Sequence, residues 1–192
     1  MLNITAQTAA ILDLMKALEP FGARLPNAQA NVLNRVATKA RNAVIPTLTK
    51  QTGLSKRIIT KAVKMSRASP QNPRVMLTTR GGEISLRYFG AHEEGSGVVA
   101  TVKGDRVFYA GAFRRSGPKG RRQMVPKLNA QVYMNEDGGR WRGHIRKIKS
   151  GVLIPAEMIR GETAKAFDRV VETDLLIEVE RELTKLLPGG GR

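Results

Sequence analysis

Residues 32–79 read VLNRVATKARNAVIPTLTKQTGLSKRIITKAVKMSRASPQNPRVMLTT, and within this stretch the apolar period changes from 3.6 to 2. In its first part Leu33, Val36, Ala37, Ala40 and Val44 recur at i, i+3, i+4, i+7 and i+11, the stripe of an amphipathic helix. Arg35, Lys39 and Asn42 fall on another face. The spacing predicts a helix from Pro26 to Gln51, kinked at Pro46, whose ring opposes the carbonyl four residues back. Gly53 is placed to end it in a left-handed conformation. Ser55 then reads as the cap of a second helix over 55–68, SKRIITKAVKMSRA. On it Ile58, Ile59, Ala62 and Val63 face inward. Arg57, Lys61 and Lys64 stack at i, i+4 and i+7, where like charges repel by a few tenths of a kcal/mol per pair, about 0.3. Beyond SPQNP, RVMLTT (74–79), a Gly-Gly pair and EISLRYF (83–89) read as a β-hairpin.

Outward from this stretch, residues 4–19 carry Ile4, Ala9, Ile11, Leu12, Met15 and Leu18 mainly on one helical face, ended by Pro20 and Gly22. GVVATV, KGDR and VFYAGAF (97–113) predict a second strand pair, with AHEEGSG (91–97) as a loop before it. Residues 114–150 are irregular and rich in Gly, Arg and Lys, with a short strand expected at AQVYM (130–134). From Pro155 the helical period returns in Phe167, Val170, Val171, Leu175, Val179, Leu183 and Leu186, stopped by PGGGR; Gly161 is placed to fray or bend its start. The fold class expected is α+β: basic N-terminal helices (1–72), a small antiparallel sheet with a basic loop (73–150), and a long C-terminal helix and tail (151–192), together forming one structural unit.

Several chemistries are excluded by composition. The chain has 192 residues and no Cys, so disulfides, thiolate zinc sites and cysteine nucleophiles are all ruled out. Its start lacks the basic and apolar regions of a signal peptide, and no apolar run approaches the ~20 residues that span a bilayer, so a soluble protein is expected. The segment GPKGRR (117–122) has neither the spacing nor the following helix of a phosphate loop. The only histidines, His92 and His144, are far apart. Glu83, Glu93, Glu94, Asp105, Glu136 and Asp137 form no metal-holding pattern of the kind nucleases need. The GSG at 95–97 is no GxSxG nucleophile turn. The expectation is a protein without catalytic residues, cofactor or metal.

Charge is the strongest signal. Lys and Arg number 33 against 16 Asp and Glu, a formal net charge of +17. Between Glu19 and Glu83 there is no acidic residue, while the same stretch carries twelve cations. A second basic block runs from Lys103 to Lys149, and residues 151–187 reverse the sign with eight acids to five bases. A surface so charged attracts polyanions and repels copies of itself. Contacts from Lys and Arg to phosphates release counterions and give salt-dependent binding. No recognition helix, RNP aromatic pair or zinc finger accompanies them, and the single Trp141, between Arg140 and Arg142, reads as a packing anchor before it reads as a base stacker. Contact without base reading is expected. The candidate residues in the N-terminal half are Arg35, Lys39, Arg41, Lys56, Arg57, Lys61, Lys64 and Arg67. A second group, Arg114, Arg115, Lys119, Arg121 and Arg122, is expected in a flexible loop that orders on DNA or on a neighbouring protein.

The order of these features resembles the bacteriophage minor tail protein Z family, the tail-completion proteins of long-tailed phages. The residues that carry the resemblance are the Ala/Arg helix and basic second helix of 32–69, EISLRYFGA at 83–91, GVVATVKGDRVFYAGAF at 97–113, and SGVLIPAEMIRGETAKAF at 150–167. The chain departs from the family pattern after Phe113, where Arg114 to Lys149 is expanded. The resemblance implies a non-enzymatic virion protein, made in the host cytoplasm and placed at the head-proximal end of the tail, where it allows head–tail joining and helps position the DNA end. It also implies partners: a tail terminator, a tail tube, a head connector, DNA, and copies of itself in a cyclic ring, six-fold by family context. Because +17 subunits repel one another, the acidic C-terminal helix is expected to pair with a basic surface of the next subunit or of a tail partner. The alternative is a non-sequence-specific nucleic-acid-binding protein outside any virion.

Overall fold

The computed structural model describes residues 2–3, 22, 24–117, 123–136 and 144–186. Helix α1 (Leu25–Thr52) is its central beam. Pro26 opens the first turn, and Gly53, at φ 75°, closes the helix with its N–H on the Thr49 carbonyl. All five residues of the expected stripe are buried, and Val32, Ile45 and Leu48 widen it. The helix runs without interruption through Pro46. That proline and Asn42, whose carbonyl it deprives of a donor, are both exposed, so the missing bond falls on the solvent side of the helix.

The second helix differs from expectation. Helix α2 covers only Lys56–Ala62, and Ser55 begins it with its backbone carbonyl, not its hydroxyl. Val63 then turns extended, and Lys64–Ser66 form strand β2. The sequence here satisfies both periods, since Val63 and Met65 also alternate with the exposed Lys64 and Ser66. The deciding contribution is an available partner: β2 pairs antiparallel with β3 (Met76–Thr78), Met65 opposite Leu77, and the other edge of β3 takes β1 (Leu2–Asn3).

That pairing also overturns the hairpin expected from 74–89. Residues 83–89 do not pair with β3; Leu86–Tyr88 make a 3₁₀ turn. The side chains the core accepts there are Leu86 and Phe89, 0% and 2% exposed. Three residues apart, they share one side of a tight turn, whereas in a strand they would point to opposite faces.

The strand pair at 97–113 is present: β5 (Gly97–Val102) and β6 (Asp105–Ala110) join through Lys103 and Gly104, both at positive φ as a two-residue hairpin turn requires. The segment expected as a loop before them is in part a strand. His92–Glu94 form β4, paired to β5 around a turn at Gly95 and Ser96, so β5 lies in the middle of a β4–β5–β6 sheet. Short strands β7 (Ala112–Phe113), β8 (Arg115–Ser116), β9 (Gln123–Met124), β10 (Tyr133–Asn135) and β11 (Ile145–Lys147) follow. They assemble as β7–β10–β11 and β8–β9. The strand expected at 130–134 thus lies slightly later, at β10.

The C-terminal segment is two helices, α3 (Ile154–Met158) and α4 (Gly161–Leu186), broken at Gly161 with φ 57°. A β-carbon there would also lie 3.2 Å from Gln51 Oε1, so the break and the packing both select glycine. Helix α4 lies antiparallel along α1. Phe167, Val171, Leu175 and Val179 enter the core, with Val170, Leu183 and Leu186 packed at its margin. One core receives side chains from α1, β3, β5, α3 and α4, an α+β arrangement. The helix expected at 4–19 and the glycine-rich stop lie outside the described residues.

Candidate nucleic-acid interface

Ten of the thirteen candidate cations are among the described residues, and these ten fall into three environments. Arg35 and Lys39, one turn apart on α1, meet Asp174, Glu178 and Glu182, which are spaced by four on α4. Lys39 Nζ lies 2.6 Å from Asp174 and 2.9 Å from Glu178. Arg35 reaches Glu178 at 3.4 Å and bonds Glu182 with its other terminal nitrogen. Arg181, Lys185 and Asn31 complete the set around these carboxylates. The Glu178 side chain is only 3% exposed, and the Lys39 hydrogen bond holds its carboxyl below the ordinary 4.5 against the opposing effect of burial. For Glu182 burial acts upward, but hydrogen bonds from Lys185, Arg35 and Asn31 outweigh it and the pKa is lowered. Hydrogen bonds to Asp174 and Glu178 raise Lys39 above its usual 10.5.

Asp174, Glu178 and Glu182 neutralise the chain's own α1. Glu178 and Glu182 are themselves buried.

A pH dependence follows. Lowered carboxylates stabilise the fold fully above their unfolded pKa and lose that contribution as pH falls through their lower folded values. Raised Lys39 contributes fully below 10.5 and loses its contribution as pH rises through its folded value. Stability is therefore expected to be flat between roughly pH 5 and 10 and to fall on both sides. Urea midpoints across pH will check this, and Glu178→Gln should make the acid limb shallower.

The second environment is structural. Arg41 donates to the carbonyls of Thr60 and Val63, at 3.3 and 3.4 Å, and so caps the end of α2. Arg114 is no part of a free loop: its guanidinium donates to the carbonyls of Ala91 and Ala130, and its backbone N–H to Glu93. It braces β4 against the chain before β10. Arg115, on β8, donates its own N–H to the same Glu93 carboxylate. Lys119, Arg121 and Arg122 lie outside the described residues, as do Arg140 to Arg142.

The third environment is the candidate interface. Lys56, Arg57 and Lys61 on α2, Lys64 on β2, and Arg67 just beyond are all exposed. Among the described residues none of the five has a carboxylate partner. The strand at 64–66 removes Lys64 from the helical ridge, but Lys64 still shares a depression with Thr60 of α2. Beside it, Arg41, Lys64 and Arg67 line an open depression of about 300 Å³. A second depression, of about 470 Å³, lies between α1 and α4 and shares Thr38 and Arg67 with the first. The two depressions adjoin at these shared residues, and cations line each.

Two positioning residues carried no pattern in the sequence. Asn34 makes paired hydrogen bonds to the N–H and carbonyl of Ala68, imitating a strand neighbour and holding the chain after Arg67 against α1. Gln51 donates to the carbonyl and carboxylate of Glu157 and accepts from Thr163, joining the end of α1 to α3 and α4. The only hint was chemical: each is an amide bordering a helical apolar stripe.

Among the described residues no group of three His, Cys, Asp or Glu side chains is placed to hold a metal ion, and no helix is long and apolar enough to cross a membrane. Compared with protein-family models, curated proteins and solved structures, the chain matches none.

Proposed function

We propose that this chain is a structural tail-completion protein of a long-tailed phage, acting at the head-proximal end of the tail and touching DNA through the α2–β2 surface. The likeness in feature order supplies the tail assignment. The observation that carries the DNA contact is the row of five exposed cations without carboxylate partners, in a stretch where the chain has no acid at all. Such a row neutralises phosphates and reads no bases. DNA passing through a tail lumen needs that kind of surface. In a ring, α1 has already taken the inner carboxylates of α4. The surface left for a neighbouring subunit is the outer face of α4, where exposed Asp168, Glu172 and Glu180 accompany Leu176 and Ile177, 62% and 57% exposed.

Electron microscopy of tails made without this chain tests the reading. The expected result is tails that no longer join filled heads. Normal joining would overturn the proposal and leave the alternative, a nucleic-acid binder with no part in the virion.

A further inference from the structure

A second cationic hollow lies away from α2, where β6, β10, β11 and the segment before the 3₁₀ turn meet. It has a volume of about 360 Å³, the size of a small-ligand site. Tyr109 and Met134 supply apolar surface, and Arg146, Lys147 and Lys149 supply charge. Arg146 is the direct cross-strand neighbour of Met134, and its guanidinium lies 3.8 Å from the thioether sulfur. Lys149 is partly offset by Glu83 at 3.6 Å. Arg146 and Lys147 are exposed and have no carboxylate partner among the described residues. The Tyr109 hydroxyl likewise has no hydrogen-bond partner there. Burial pushes its pKa up, so at neutral pH it remains a donor.

We infer that this hollow takes one unstacked nucleotide of a single-stranded nucleic acid, its base against Tyr109 and Met134 and its phosphates on Arg146 and Lys147. A cationic lip alone would suit any anion. The half-buried ring and thioether beside it suit a flat base, because stacking on an aromatic face is tolerant of sequence. Duplex bases are already stacked and cannot enter. The inference shares with the proposed function the premise of a nucleic-acid ligand, but it uses none of the α2–β2 cations.

The test is fluorescence anisotropy with a labelled oligothymidylate of about 12 nucleotides, compared with a duplex of equal length. Tyr109→Leu is expected to weaken single-strand binding about 5- to 100-fold, the range of one lost base stack, and to leave duplex binding unchanged. Tyr109→Phe should retain most of the affinity. Arg146→Gln with Lys147→Gln, both on an exposed strand where folding is not at risk, should reduce the single-strand salt slope by about 1.4, at ~0.7 per phosphate. Single-strand binding unchanged in the Arg146/Lys147 variant and in a Tyr109→Leu variant of normal melting temperature overturns the inference. Displacement of the oligonucleotide by inorganic pyrophosphate as readily as by unlabelled strand also overturns it. If the α2–β2 cations alone carry both kinds of binding, this inference fails while the DNA contact proposed above stands. If only the hollow matters, the reverse holds.

Discussion

Replacing Lys56, Arg57, Lys61, Lys64 and Arg67 together by glutamine is expected to weaken duplex DNA binding by about 10³-fold at ~0.1 M salt. Each phosphate neutralised contributes ~0.9 to the slope of log affinity on log salt, so five contacts contribute about 4.5. Wild-type affinity should therefore fall several-hundredfold, roughly 500-fold, between 50 and 200 mM salt, and the variant should lose most of that dependence. The fold should hardly notice, because all five side chains are exposed and none has a carboxylate partner among the described residues. Relief of repulsion along α2 acts, if anything, in the stabilising direction. The pair Arg35→Gln and Lys39→Gln makes the contrast. It removes as much charge per residue, but it leaves Glu178, 3% exposed, without two of its partners, and so it should lower stability more than binding. Binding titrations at several salt concentrations, with melting curves for each variant, separate the two effects. A five-fold glutamine variant with the wild-type salt slope would remove DNA from the account.

A chain ending before Gly161 is expected not to fold. Phe167, Val171, Leu175 and Val179 are each at most 5% exposed, and all four pack within the core that α1 anchors. At about 1.5–3 kcal/mol for each buried side chain, their loss removes roughly 6–12 kcal/mol. That is comparable with the entire stability of a typical domain, about 5–15 kcal/mol. The truncation also strips Arg35 and Lys39 of their carboxylates and Gln51 of Thr163. Thermal melting followed by circular dichroism should show no cooperative transition, and limited proteolysis should degrade α1. A sharp transition near that of the full chain would mean that α4 is an appendage. The double change Leu176→Ser and Ile177→Ser, on the opposite face of the same helix, should alter melting little, and it is the variant suited to asking whether that face meets another subunit.

Much of the helical architecture was legible because its signal is local. The stripe from Leu33 to Val44, the glycine stop at 53 and the stripe from Phe167 to Val179 are periodicities that a single helix must satisfy with its own residues. The hairpin turn at Lys103 and Gly104 is equally local. The errors cluster where two local readings compete. Residues 63–66 fit a helix or a strand, and β3 decided for the strand. EISLRYF alternates, yet the core took Leu86 and Phe89. The candidate cations were identifiable by type, but type does not distinguish an exposed Lys61 from a neutralised Lys39 or a bracing Arg114.

By itself, then, the amino-acid order determined an α+β class, two long amphipathic helices, an excess of positive charge and the lack of thiol chemistry, because each follows from composition or from neighbours along the chain. Tertiary structure alone decided which strands pair and which cations remain open to a ligand. The reason is distance in sequence: Arg35 is answered by a carboxylate 147 residues away, and Asn34 by a backbone 34 residues away. No period or charge count contains such partnerships, since they exist only once α4 lies against α1 and removes some of the chain's positive charge from reach of any other anion.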